Sequence, residues 1–187
     1  NTQYYGGIKK YQWVTMPLAI HGVVAKKDGT TVKIRIGEEP GDPVFFVTDL
    51  LVHLAQDQME KKASSVVEGE ALDIIAGTIP MDGDSKDSVK ANVLKLLKEK
   101  YDIEEDDFWS SELEIVPAGN AREAGFDRSM ILGYGHDDRC CAYTSVLAMM
   151  NVESPLKTAC GLFVDKEEIG SVGATGMRSA FFEDTLR

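Results

Sequence analysis

The sequence is short of the residues and patterns that mark several protein classes. It has three cysteines in 187 residues and no Cys-x-x-Cys spacing, which argues against a zinc finger or a disulfide scaffold. No apolar run reaches the roughly 18 residues that a membrane helix needs, and no signal-peptide pattern is present. Basic residues are outnumbered, 20 against 31 acidic ones, and a net charge of −11 argues against nucleic acid as a partner. We therefore expect no membrane partner and a reducing, cytoplasmic setting.

The spacing of apolar residues predicts both sheet and helix. The segments 18–24 and 32–36 flank Asp28-Gly29, a strong two-residue turn signal, so they should form a β-hairpin. The clearest predicted helix runs from Ser85 to Tyr101, where apolar residues recur at helical spacing. The remaining predicted elements are strands at 44–47, 72–75 and 158–164, and helices at 49–58 (capped by Thr48), at 139–150 and beginning near 174–177.

A domain boundary is predicted near residue 111, where a strand and a proline-ended loop follow the acidic run 102–107. Residues 1–110 would form a β-rich domain with two helices, and residues 111–187 would belong to an α/β domain. The chain is long enough for two such small domains to bury a core.

Two acidic clusters near the C-terminal end are the candidate site. Glu167 and Glu168 follow the predicted buried strand 158–164, and ligands of open α/β sheets lie outside the carboxyl ends of strands. Where a strand gives way to a loop, one glutamate can hold a cation while its neighbour faces a substrate. Asp137 and Asp138 precede the predicted helix 139–150, roughly 30 residues earlier, which is the size of one βαβ step.

Each cluster also has an ordinary explanation. A charged pair at a strand end can be a solvated turn, and an aspartate before a helix can be an N-cap. The glycine-rich stretch 170–176 could cradle a phosphate, but its spacing matches neither the dinucleotide nor the P-loop fingerprint. If the clusters instead face each other, their carboxylates repel unless metal ions or protons neutralise them. Oxygen ligands around an open coordination position are typical of a hydrolytic metal site.

The residues around both clusters resemble a known family. GHDDRCCAYTSVLAMM (135–150) and LFVDKEEIGSVGATGM (162–177) look like the metal-binding core of the aspartyl aminopeptidase (aminopeptidase I) family of dinuclear metallo-aminopeptidases. YYGGIKKYQWVTMPLAIHGVV (4–24) resembles the segment where that family's second domain begins. The triplet that starts at Asp137 is closer to the related tetrahedral glutamyl-aminopeptidases, which are the alternative with the same chemistry.

The resemblance implies an enzyme that hydrolyses N-terminal residues from peptides with water activated by two metal ions. By position, Asp137 would bridge both ions, Glu168 would bind one of them, and Glu167 would be the general base. The two divalent ions would be zinc, with cobalt or manganese as alternatives. The resemblance also implies a cis peptide bond between Asp137 and Asp138.

The resemblance makes residues 1–110 an inserted dimerisation and lid domain, and residues 111–187 part of the α/β metallopeptidase catalytic domain. The protein would form homo-oligomers through residues 1–110, with dimers built into a dodecamer. The segment VTDLLVHLAQ (47–56) resembles the one whose histidine reaches into a neighbouring subunit's active site, so His53 would contact the substrate there.

Parts of that family's site are not found in this sequence. The site also needs an upstream histidine in a His-x-Asp motif and a downstream aspartate and histidine, whereas His136 directly precedes Asp137. The chain starts without Met and stops at Arg187 within what looks like a domain, so we expect a fragment that is inactive alone. The rival from another class is a non-catalytic module, in which the β-rich domain assembles subunits and the carboxylates are surface or capping groups.

Overall fold

The computed structural model describes residues 2–83 and 86–187 and contains both helices and strands. The strands are β1 (Leu18–Ala25), β2 (Thr31–Ile36), β3 (Ser111–Pro117), β4 (Arg122–Ala124) and β5 (Met130–Leu132). The α-helices are α1 (Gln56–Met59), α2 (Ser88–Tyr101), α3 (His136–Met150) and α4 (Phe181–Leu186), with short 3-10 turns at Lys10–Gln12, Val52–Leu54, Gly69–Ala71, Glu105–Ser110 and Glu167–Ile169. None of the helices in the described ranges is long and apolar enough to cross a membrane.

The contacts divide the chain into two units. The first unit comprises residues 1–4 and 9–120, and the second comprises residues 5–8 and 121–187. The division therefore falls between residues 120 and 121, later in the chain than the boundary that the sequence indicates near 111.

The first unit is built on a three-stranded antiparallel sheet in the order β2-β1-β3. The predicted hairpin is confirmed: β1 pairs with β2 from Ile20↔Ile36 to Ala25↔Thr31. Its turn is held by Asp28, whose Oδ1 accepts hydrogen bonds from the Thr30 N–H at 2.9 Å and the Thr30 hydroxyl at 2.6 Å. The loop has three residues between Lys26 and Thr30 rather than the two that Asp28-Gly29 predicted: the Lys26 N–H donates to the Thr30 carbonyl at 2.8 Å, and Gly29 takes the left-handed conformation (φ +85°) that such loops require.

Strand β3 does not begin the second unit, as its sequence suggested, but completes the sheet of the first. It pairs with β1 from Leu18↔Pro117 to Val24↔Ser111. The two strands approach closely at Gly22, where a Cβ would lie 1.9 Å from the Glu112 carbonyl oxygen. Because this pairing joins residues far apart in the chain, no local pattern reveals it.

The core of the first unit lies against one face of this sheet. A buried cluster consists of Val24, Ile34, Ile36 and Ile103, with Ile20, Val32, Phe45, Tyr101 and Leu113 packed around it. Ile103 reaches the cluster because α2 ends at Tyr101 and its C-cap residue, Asp102, has a left-handed conformation (φ +55°) that turns the chain back toward the sheet. Helix α2 confirms the predicted helix, although Ser85, its predicted first residue, lies outside the described residues.

Three other predictions in the first unit are wrong. The segment 44–47 forms isolated bridges rather than a strand, and 72–75 forms no strand. The predicted helix 49–58 is replaced by the 3-10 turn Val52–Leu54 and the single-turn helix α1, and Thr48 caps neither. A helix depends on packing its apolar face, whereas the leucines of this segment are more than half exposed.

The second unit contains the two-stranded antiparallel sheet β4-β5 and the helices α3 and α4. Helix α3 confirms the predicted helix 139–150. The predicted buried strand 158–164 is wrong: these residues are exposed and have no strand assignment, and no helix begins near 174–177. A buried parallel strand needs neighbours on both edges, and β4 and β5 pair only with each other in the described sheets.

Candidate metal centre

The turn that carries Asp137 joins β5 to α3. Gly135 precedes the helix in a left-handed conformation (φ +86°), and both Asp137 and Asp138 have non-helical backbone angles within the first turn of α3. The peptide bond between the two aspartates is cis, as the family resemblance implied. Both side chains are exposed, so their carboxylates are open to a ligand from solvent.

His136 ties this turn to the preceding strand. Its Nε2 lies 3.1 Å from the Ile131 carbonyl oxygen, and because a carbonyl only accepts, Nε2 carries the proton of this bond. Its other nitrogen, Nδ1, lies 3.8 Å from the Cys140 Sγ one helical turn later. The imidazole thus connects β5 with α3 on either side of Asp137.

The second carboxylate of the turn interacts with a cysteine. Asp138 raises the pKa of the Cys141 thiol, chiefly by accepting its hydrogen bond and then by the repulsion between the two negative charges. A raised pKa keeps this thiol protonated, so it acts as a hydrogen-bond donor. Cys140 and Cys141 are both exposed free thiols.

The two glutamates lie on the 3-10 turn Glu167–Ile169. Left-handed residues border this turn on both sides, Lys166 with φ +63° and Gly170 with φ +91°. The Gly170 N–H donates to the Glu167 carbonyl at 2.9 Å and closes the turn. The Glu167 and Glu168 side chains are exposed, and the structure gives them no hydrogen-bond or ion-pair partner among the residues it describes.

The donor chemistry of the two turns suits zinc only in part. Carboxylate oxygens of Asp137 and Glu168 are accepted zinc ligands, but hydrolytic zinc sites use three protein ligands. In the ranges 2–83 and 86–187, no three His, Cys, Asp or Glu side chains come together in an arrangement that could hold a metal ion. The described residues therefore do not form a complete zinc site by themselves.

The remaining candidate residue belongs to the first unit. His53 lies on the 3-10 turn Val52–Leu54 and is exposed. Its neighbours Leu51 and Leu54 are 57% and 68% exposed, so it lies within an apolar surface segment.

Two residues that contact each other around the glutamate turn, Asp165 and Thr175, do not stand out in the sequence. The available signal was Asp165 itself, because an aspartate that precedes a turn commonly accepts a hydrogen bond from a nearby backbone N–H.

Comparison with known proteins places these turns in a family. The family model described as "Aminopeptidase I zinc metalloprotease (M18)" matches residues 1–187. The chain is 64% identical over 186 residues to a probable M18 family aminopeptidase 1 of Clostridium acetobutylicum. The aligned region covers 99% of this chain and 40% of that protein. Of the two related families considered from sequence, the matching model is that of aminopeptidase I.

Solved structures of two relatives match closely. The M18 aminopeptidase of Thermotoga maritima superposes with a TM-score of 0.87 at 52% identity, over 99% of this chain and 40% of its own. Aminopeptidase I of C. acetobutylicum gives a TM-score of 0.84 at 64% identity, over 98% of this chain and 40% of its own. The chain thus spans about 40% of the length of the relatives it matches.

Proposed function

Because the chain belongs to the aminopeptidase I (M18) family of zinc metalloproteases, we propose that the full-length protein is a zinc aminopeptidase. It would remove N-terminal residues from peptides in the cytoplasm. The observation that carries this proposal is the match of the family model along residues 1–187. The relatives are longer than this chain, so the activity is proposed for the full-length protein and not for these residues alone.

The acidic turns supply the proposed machinery. Asp137 would bridge two metal ions and Glu168 would bind one of them, with the other ligands contributed by parts of the protein that this chain does not contain. Zinc, when bound, stabilises negative charge that develops on the peptide carbonyl and lowers the pKa of water. Glu167 would accept the proton of the attacking water and pass it to the leaving amine. Its exposure and its lack of a partner among the described residues support this role.

The two units would have different roles in the full-length protein. The first unit would be the β-rich inserted domain that assembles subunits and acts as a lid, and the second would be part of the α/β catalytic domain. The three-stranded antiparallel sheet of the first unit supports the first assignment. The location of both acidic turns in the second unit supports the other.

We extend the proposal to assembly. The first unit would form homodimers that build a larger oligomer, and His53 would contact the substrate in a neighbouring subunit. The support is the apolar surface around His53, since exposed contiguous apolar residues often mark protein interfaces. Leu51→Asp combined with Leu54→Asp should reduce the molecular mass measured by light scattering. An unchanged mass would contradict the role of this segment.

Two substitutions test the proposed roles of the glutamates in the full-length protein. Glu167→Gln should lower kcat by a factor of about 100 or more, because it removes the proton acceptor, while zinc content stays near that of the wild type. Glu168→Gln should lower zinc content as well, because it removes a ligand charge. The measurements are hydrolysis of a panel of aminoacyl 4-nitroanilides and zinc analysis by mass spectrometry. Near-normal turnover by Glu167→Gln would refute the assignment of the base.

A further inference from the structure

The proposed base and ligand lie inside a closed loop, residues 165–176. Its two ends meet at an isolated parallel bridge between Asp165 and Gly176. The Asp165 N–H donates to the Thr175 carbonyl at 3.2 Å, which joins the ends through the backbone. The loop therefore has a fixed closure point next to the segment that carries the glutamates.

The backbone inside the loop needs that closure. Lys166 and Ser171 have φ values of +63° and +58°, a region that residues other than glycine rarely occupy. Such conformations persist where surrounding contacts over-determine them. One of these contacts is the hydrogen bond from the Ser171 N–H to the Lys166 carbonyl at 2.8 Å. Another is the hydrogen bond from the Arg178 N–H to the Ser171 carbonyl at 3.1 Å.

Two side chains reinforce the closure. Asp165 Oδ1 accepts a hydrogen bond from the Lys166 N–H at 2.8 Å, and Asp165 Oδ2 accepts one from the Thr175 hydroxyl at 3.2 Å. One carboxylate thus connects the first turn of the loop to its last residues. We refer to the Asp165–Thr175 pair as the loop latch.

The position of the glutamates depends on this loop. Their carboxylates have no hydrogen-bond or ion-pair partner among the described residues, so no side-chain contact described here orients Glu167 or Glu168. What fixes their Cα positions is the 3-10 turn, whose bordering residues Lys166 and Gly170 both have left-handed backbones. A change at the loop ends is therefore transmitted to both carboxylates through the backbone.

We propose that Asp165 and Thr175 are positioning residues, which hold the Glu167–Glu168 turn in the geometry that the reaction requires. The inference rests on the proposed function, since it assigns the latch a role only if Glu167 transfers protons and Glu168 binds zinc. Neither latch residue contacts the substrate in this scheme, and both act through the turn.

The test compares two substitutions at Thr175 in the full-length protein. Thr175→Val keeps the size of the side chain and removes the hydroxyl, whereas Thr175→Ser keeps the hydroxyl. A misplaced base lowers the rate of the chemical step, so Thr175→Val should lower kcat by about 10- to 100-fold with KM changed less than about 2-fold. Its affinity for zinc, measured by competition with a chelating dye, should fall by about 10-fold. Thr175→Ser should keep both quantities within about 2-fold of the wild type.

A double-mutant cycle checks that the two residues act through their contact. Asp165→Ala and Thr175→Val should each lower kcat, and the double variant should be no slower than Asp165→Ala, because the contact can be lost only once. Thermal unfolding of each variant accompanies the kinetics. If Thr175→Val does not fold, Asp165→Asn is measured instead. The same loss of kcat is expected for it, and Thr175→Ser remains the control.

The outcomes separate the latch from the proposed function. A zinc-loaded, active wild type with an unchanged Thr175→Val variant overturns the latch alone. Equal losses in Thr175→Val and Thr175→Ser also overturn it, because the hydroxyl would then not be the group that matters. A full-length wild type that neither binds zinc nor hydrolyses any substrate overturns the proposed function, and the latch falls with it.

Discussion

The two units of the molecule differ in how far their apolar side chains are buried. In the first unit, Leu18, Val24 and Ile103 are 1%, 0% and 2% exposed. In the second unit, Gly176 is the one buried residue among those the structure describes, and Phe126 and Leu156 are fully exposed. The first unit thus closes a core with its own residues, whereas the second presents apolar side chains that no described residue covers.

The difference follows from how the two sheets are built. β1 has hydrogen-bonded partners on both edges, so its apolar residues can be covered by neighbouring strands and by the segment after α2. The second unit has a two-stranded sheet of three residues a strand, and a two-stranded sheet is marginally stable alone. The glutamate turn thus depends on its own loop contacts, while the first unit depends on its core.

Among the substitutions that test this difference between the units, Gly22→Ala should cause the largest loss of stability, and it should do so in the first unit. The new Cβ would lie 1.9 Å from the Glu112 carbonyl oxygen, and φ at this position is +147°, which side chains rarely tolerate. Clash and backbone strain together should lower the free energy of unfolding of the first unit by about 4 kcal/mol. The control is Gly29→Ala, at φ +85° with nothing within 4 Å of the new Cβ, which should cost about 1 kcal/mol.

Hydrogen–deuterium exchange measures the result unit by unit. Loss of protection in β1, β2 and β3 without change in the 165–176 loop would support separate sources of stability. If Gly22→Ala and Gly29→Ala lose the same amount of exchange protection in these strands, the prediction is wrong. The close approach of β1 and β3 at Gly22 would then not limit the stability of the sheet.

A pair of isoleucines gives a direct comparison between the units. Ile103 is 2% exposed in the core of the first unit, and Ile131 is 64% exposed in β5. Ile103→Ala should cost about 3 kcal/mol of unfolding free energy, as large-to-small changes in a core do. Ile131→Ala should cost less than about 0.5 kcal/mol in this chain. Urea denaturation measures both, and a similar cost for the two would mean that Ile131 is covered in solution.

The sequence was informative where a local pattern decides the structure. The turn signal at Asp28-Gly29 and the alternation from Val32 to Ile36 depend on neighbouring residues, and the hairpin follows from them. Helix α2 has a continuous apolar stripe and is also found as predicted, within the residues described. The cis bond at Asp137 came from the family resemblance and not from any local pattern.

The predictions that failed depend on partners distant in the chain. The segment 158–164 has the composition of a buried strand, but burial requires neighbouring strands that the described residues do not provide. Strand β3 has an ordinary strand pattern, and nothing in it reveals that β1 is its partner. For the same reason the sequence named Asp137, Glu167 and Glu168 as candidates but could not show what else lies beside them.

The smallest predicted effect concerns pH and again distinguishes the units. Lys26 and Lys98 donate hydrogen bonds to the Asp102 carboxylate and lower its pKa from 3.8 to about 2. Between pH 4 and pH 2 the unfolded chain therefore binds more protons here than the folded chain. The stabilisation by Asp102 is complete above its unfolded pKa and is lost as the pH falls toward 2.

The unfolding temperature of the first unit should therefore fall across this range, and by less in Asp102→Asn, which has no carboxylate to protonate. Asp127 in the second unit is a matched carboxyl, because hydrogen bonds from the Ser129 N–H and hydroxyl also lower its pKa. Since Asp127 belongs to the second unit, Asp127→Asn should leave the acid dependence of the first unit unchanged. Equal acid dependence in the wild type and Asp102→Asn would show that the two lysines do not stabilise the end of α2 through this carboxylate.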